Sequence, residues 1–132
     1  MAGRRKEVGT LRRRALEFLE EARQSLISGR HNISYFLSEQ ASQLYIMAAL
    51  LETVGDYPRT HYIRTLLGEL VKSTSSKKLE QFIRENRAAL SSLEDAYTIA
   101  RYSAKDYTKE DAEDALRLSE EIIKLVTEAV SG

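Results

Sequence analysis

The sequence contains no cysteine and a single proline. Without thiols, disulfide bridges and thiolate metal sites are excluded, and a cytoplasmic setting is expected. One proline and six glycines leave few points at which a helix must stop. No charge of either sign is in surplus: 20 basic residues balance 20 acidic ones, so the total gives no argument for a nucleic-acid partner. Membrane-length apolar runs are missing too, since the stretch Ile46 to Leu51 is far too short to span a bilayer. No apolar leader follows the basic N-terminal residues, so secretion is not expected.

Catalytic patterns are equally scarce. There is no glycine-rich phosphate loop and no serine in a strand-turn-helix elbow. His31 and His61 fall in different predicted connections, without carboxylates at metal-ligand spacing. Pairs such as Glu20-Glu21 and Glu120-Glu121 are adjacent, so on a helix they point in different directions. From these absences we expect no metal, no cofactor and no catalytic residue.

What is present is a globular composition, 42% hydrophobic and 30% charged, in a chain of 132 residues. That is enough for one domain with one core. Arg4, Arg5, Lys6, Arg12, Arg13 and Arg14 crowd the start. Residues 1–10 are expected to be a basic, frayed N-terminus, and residues 11–130 a single helical domain. The basic cluster suits a solvated helix start, with phosphate contact as the alternative.

Apolar residues recur at helical spacing throughout. Leu11, Ala15, Phe18, Ala22 and Leu26 mark a first helix, with Gly29 as its C′ residue. Asn32 is the expected N-cap of a second, whose stretch Leu44 to Leu51 is apolar nearly all round and should be central. Gly55 and Pro58 end it. Thr60 is the expected cap of a third helix carrying Ile63, Leu66, Leu67, Leu70 and Val71. After Ser73 to Ser76 comes a short helical stretch with Leu79, Phe82 and Ile83, interrupted at Asn86. A fourth helix carries Leu90, Leu93, Ala96, Tyr97 and Ala100. Ser103 to Tyr107 is a loop, and Thr108 with Asp111 forms a capping box for the last helix. The expected fold is all-α: an up-and-down bundle of about five helices. Small residues such as Ala48 and Ala49 would let a second copy approach closely.

Three polar signatures are not needed to build helices: Glu39-Gln40-Ala41, Arg59-Thr60-His61, and Tyr97 to Tyr102. Tyr97 and Arg101 share a helix face at i,i+4. Burying an arginine requires a partner, and Glu39 or Gln40 is the expected one. Tyr rings beside a guanidinium suit base stacking and phosphate contact. The alternative is structural, with Tyr97 in the core, Arg101 bridging two helices and Tyr102 at the rim.

The order Glu39-Gln40-Ala41, Gly55, Pro58-Arg59-Thr60-His61, Leu66-Leu67, Tyr97, Ala100-Arg101-Tyr102, Tyr107-Thr108 and Asp111-Ala112 resembles the HEPN domain family (higher eukaryotes and prokaryotes nucleotide-binding). The resemblance runs from Leu11 to Val126. It implies a homodimeric helical bundle, often paired with a minimal nucleotidyltransferase as a toxin-antitoxin system. It also implies one of two activities: metal-independent RNA cleavage, or nucleotide and partner binding without cleavage. The ribonuclease motif is an Arg followed by a His after four to six residues. Val54, Gly55 and Asp56 precede His61 at that spacing, Gln24, Ser25 and Leu26 precede His31, and no His follows Arg101 before Thr108. Met47 stands where members often have Lys. The expectation is therefore a non-catalytic member binding a nucleotide or the nucleotidyltransferase. Its cleft would be lined by Gln40, Arg101 and Tyr102, with Tyr35, Tyr97, Tyr107 and His61 nearby. The alternatives are an RNA-cutting toxin using Arg101 with Asp106 or Tyr107, and a bundle whose polar residues only set the dimer seam.

Overall fold

The computed structural model describes residues 2–132. Seven helices follow in order: α1 (Ala2–Ile27), α2 (His31–Thr53), α3 (Ile63–Thr74), α4 (Lys77–Glu85), α5 (Arg87–Glu94), α6 (Ala96–Tyr102) and α7 (Lys109–Ser131). The described residues contain no strand. The count exceeds five because the short stretch and the fourth helix resolve into three segments. Asn86 leaves helical geometry at φ −119° and ψ 26° and separates α4 from α5. Its side-chain amide donates to the Phe82 carbonyl (2.9 Å), which stabilises the break. A second interruption at Asp95 separates α5 from α6.

Local signals explain several ends. Gly29 adopts φ 77°, and the Arg30 N–H behind it donates to the Ser25 carbonyl at 2.8 Å. That is the left-handed closure a Cβ would disfavour. The Thr108–Asp111 capping box forms as expected: the Thr108 hydroxyl accepts from the Asp111 N–H and the Asp111 carboxylate from the Thr108 N–H, both at 3.0 Å. Replacing Thr108 by Ala should cost about 1 kcal/mol, as for other helix caps. Thermal melting tests this, and an unchanged midpoint would mean that the box contributes nothing.

Two expected caps are corrected. Asn32 lies inside α2, which starts at His31, and its amide reaches across the chain instead. It donates to Asp106 Oδ1 (2.9 Å) and accepts from the Tyr107 N–H (2.7 Å). Thr60 stops short of α3 and accepts from the Tyr62 N–H (3.2 Å), shaping the turn before the helix. Residues 2–10 also differ from expectation, because they form the start of α1, while the expectation for Met1 lies outside the described residues. Val8 is buried beside Ala48 and Leu51 in a small second core, and Leu11 and Tyr57 pack on it.

The central helix is α2, which packs on α1, α7, α3, α6 and α5. Its upstream neighbour runs antiparallel: Ser34 donates to the Ala22 carbonyl (2.8 Å), and Arg12 reaches Glu52 (2.9 Å). By contrast α7 runs parallel to α2, with Ser42 donating to Ser119 (2.9 Å) and Tyr45 bonded to Thr127 (2.7 Å). Serine and alanine line this seam because small side chains let backbones approach, and the Ser42 hydroxyl donates across it. The main core joins Ile46 and Leu50 to Ile63, Leu66, Leu67, Leu70, Leu79, Leu90, Leu93, Ile122 and Val126. Ala49 is buried in this core and Ala48 in the smaller one, so they do not offer a close approach to a second copy. No helix among the described residues is long and apolar enough to cross a membrane.

Candidate functional site

Two of the three polar signatures meet. The turn after α2 delivers His61 onto the ring of Tyr97 from α6, with centroids 4.9 Å apart and planes 17° from parallel. His61 also meets the ring of its neighbour Tyr62, tilted by 36° with centroids 4.5 Å apart. Arg101, one turn beyond Tyr97, lays its guanidinium over the Tyr97 ring at 4.6 Å. The i,i+4 spacing read from the sequence is what permits this contact. Tyr62, His61, Tyr97 and Arg101 therefore form one continuous stack of three rings and a cation. Arg101 is exposed, and it has no ion pair among the described residues. It does not reach Glu39 or Gln40. An arginine in water needs no buried partner, so the expected bridge to α2 is absent for a physical reason.

Beside the stack lies a cleft of about 470 Å³, walled by Tyr62, Arg64, Thr65, Ile83, Arg87 and Glu94. Such a volume suits a small ligand. Buried Glu94 organises this cleft. Its carboxylate accepts from the Arg64 N–H (2.7 Å), Nε (3.1 Å) and Nη2 (2.9 Å), capping the start of α3 from α5. Glu94 raises the Arg64 guanidinium above its ordinary value through those hydrogen bonds. Glu94→Ala should lower stability by about 2 kcal/mol, because it removes a charged hydrogen-bond acceptor from a helix start. Urea denaturation checks this, and a loss under a few tenths of a kcal/mol would contradict it.

The first signature stays inside. Glu39 is fully buried on α2. Its carboxylate accepts from Gln40 Nε2 (2.7 Å) and from Gln43 Nε2. Burial pushes its pKa up to about 7 against the two amide hydrogen bonds, with Glu94 adding like charge. Gln40 is thus turned toward Glu39 rather than toward Arg101.

The remaining expected residues lie elsewhere. Tyr35 and Tyr107 stack on each other at 3.8 Å and 4° from parallel, and both are buried. The Tyr107 hydroxyl is enclosed without a partner. Burial pushes the Tyr107 hydroxyl up to about 12, helped by Asp95 and Asp111. Tyr107 also borders a cavity of about 330 Å³ with Ile33, Phe36, Ile99 and Ala100. Tyr102 is 79% exposed at the end of α6 and touches neither ring system. Asp106 is held by Asn32, not by Arg101. Of the seven expected site residues, His61, Tyr97 and Arg101 come together. Sequence reasoning missed Tyr62, Arg64, Arg87 and Glu94. The acidic–basic pair of α5 and α3 had no local signal, because its members meet only after folding.

A family model described as the HEPN domain matches residues 8–129. A crystal structure described as that of an archaeal HEPN homologue superposes with a TM-score of 0.67 at 22% identity, covering 94% of this chain and 98% of that one. At that identity the likeness speaks for the fold. No curated protein sequence matches the chain.

Proposed function

The chain belongs to the HEPN domain family, and from that premise we propose that it binds a nucleotide without cutting it. The site is the Tyr62–His61–Tyr97–Arg101 stack with its adjoining cleft. The observation that carries this reading is Arg101: a guanidinium seated on an aromatic ring, open to solvent, with no carboxylate partner among the described residues. Stacked rings offer π-faces to a base, and Arg101 and Arg87 offer charge to phosphates. In this reading the protein works as a homodimer beside a minimal nucleotidyltransferase, in a toxin-antitoxin-like pair, and the nucleotide is what the two share.

The cutting alternative considered from the sequence needs Asp106 or Tyr107 next to Arg101 to transfer the proton. Asp106 is tied to Asn32, and Tyr107 is buried against Tyr35. That arrangement speaks against cleavage by Arg101 with either of these two groups. Calorimetric titration with ATP, and with a co-encoded nucleotidyltransferase, tests the proposal. Saturable binding that weakens at least tenfold in Arg101→Ala supports it. No heat with either titrant, or heat indifferent to Arg101, would overturn it.

A further inference from the structure

A cavity of about 330 Å³ forms where the start of α2, the helix α6 and the segment joining α6 to α7 meet. It shares no lining residue with the aromatic stack or with the Glu94 cleft. Its walls are apolar. Ile33 and Phe36 come from α2 at i,i+3, and Ala96, Ile99 and Ala100 come from α6 at i,i+3 and i,i+4. At those spacings each helix turns one face to the cavity. Ile33 is 50% exposed, so part of this apolar surface meets solvent. Two exposed residues of the lining carry charge, one of each sign. Lys105, with its Nζ 5.1 Å from the Tyr107 ring centroid, has no carboxylate partner among the described residues. Asp106 accepts from Asn32 Nδ2 and pairs with no cation there.

A second observation is independent of the shape. Tyr107 lines the cavity and is only 8% exposed, yet its hydroxyl is buried with no hydrogen-bond partner among the described residues. No other residue of the lining has such an atom. The phenol is held in place from both ends: the Tyr107 N–H donates to Asn32 Oδ1 (2.7 Å), and the ring stacks on Tyr35. Burial, with the fields of Asp95 and Asp111, pushes the hydroxyl up to about 12, so at neutral pH it keeps its proton and can donate. A buried donor left unpaired is costly, and an acceptor brought by a ligand would recover the bond.

The surroundings narrow the ligand. An anion would meet the fields of Asp95, Asp106 and Asp111, and a cation would meet Lys105. Either would also lose hydration against the apolar walls. A neutral molecule escapes both penalties. We propose that this cavity binds a small uncharged apolar carbonyl compound (a ketone, ester or lactone) whose oxygen accepts from the Tyr107 hydroxyl. Its hydrocarbon part lies against Ile33, Phe36 and Ile99. Because the hydroxyl is closed to solvent, the carbonyl reaches it as the exposed 103–106 segment yields.

The test is a nuclear magnetic resonance titration of the isotopically labelled full chain with benzylacetone, and separately with hydrocinnamate, which puts a carboxylate where benzylacetone has its ketone. Saturable benzylacetone shifts are expected at Ile33, Phe36, Ile99 and residues 103–107, with hydrocinnamate at least tenfold weaker. Tyr107→Phe keeps the stacked ring and removes only the hydroxyl, so it should weaken benzylacetone about tenfold. It should melt no lower than wild type, because the deleted hydroxyl makes no bond within the chain. Ile33→Glu, at a half-exposed wall, should weaken binding more than tenfold. Circular dichroism confirms that each variant folds. Absence of saturable shifts, shifts confined to other residues, affinity indifferent to Tyr107→Phe, a lower melting point for that variant, or tighter binding of hydrocinnamate would each overturn the proposal. None of these residues belongs to the Arg101 stack, so the nucleotide reading stands or falls separately.

Discussion

Replacing Glu39 by Gln should flatten the stability of the protein between pH 5 and pH 8. In the unfolded chain Glu39 ionises at 4.5, and in the folded chain its pKa is about 7, chiefly through burial. Between those values the folded state holds a proton that the unfolded state has lost. Stability from this group is therefore fully present below about 4.5, falls as pH rises, and is gone above about 7. The whole span is on the order of 3 kcal/mol. A glutamine cannot ionise and can keep the hydrogen-bonded knot with Gln40 and Gln43 by turning its amides. The substitution should therefore leave stability near pH 5 little changed and raise it at pH 8 relative to wild type. Urea denaturation of both proteins at four pH values reads this as a growing gap. Parallel curves would mean that Glu39 is not a buried titrating acid.

Tyr97→Ala should have the largest effect on ligand binding. Tyr97 is half-buried and contacts both the His61 ring and the Arg101 guanidinium. Its loss removes the ring that both the imidazole and the guanidinium contact, so both lose their seat. Base–aromatic stacking is worth about 1–3 kcal/mol per ring, which converts to a loss of roughly tenfold to a hundredfold in affinity for ATP. Tyr97→Phe keeps the ring and should bind within about threefold of wild type. A large loss in the Phe variant would mean that the hydroxyl, not the stack, makes the contact.

Much of the architecture was legible because it is written locally. Helical periodicity gave the all-α bundle and the central position of α2, and Gly29, Asn86 and the Thr108–Asp111 pair marked real ends. The Tyr97–Arg101 contact was legible for the same reason, since both lie on one face of one short helix. What was not legible depends on residues distant in sequence. Asn32 has the chemistry of a cap, yet the loop at 106–107 competes for its amide and wins. Tyr35 and Tyr107 were grouped with Arg101 by residue type, but folding stacks them on each other instead. The sequence points to Glu39 or Gln40 as the partner of Arg101, and the structure turns Gln40 onto Glu39. Two glutamine amides satisfy the buried Glu39 carboxylate internally, and Arg101 is left in solvent. Ala48 and Ala49 suggested a contact between copies, but the same smallness serves packing within the chain.

The central claim is that Tyr62, His61, Tyr97 and Arg101 form the nucleotide site. Nuclear magnetic resonance of the isotopically labelled protein, titrated with ATP, tests it most directly. Ring stacking shifts the resonances of the groups it touches. The account predicts saturable shifts concentrated at the His61 imidazole, the Tyr62 and Tyr97 rings and the Arg101 guanidinium, with smaller ones at Arg64 and Arg87. An unchanged spectrum at millimolar ATP, or shifts confined to residues outside this stack and its cleft, would contradict it.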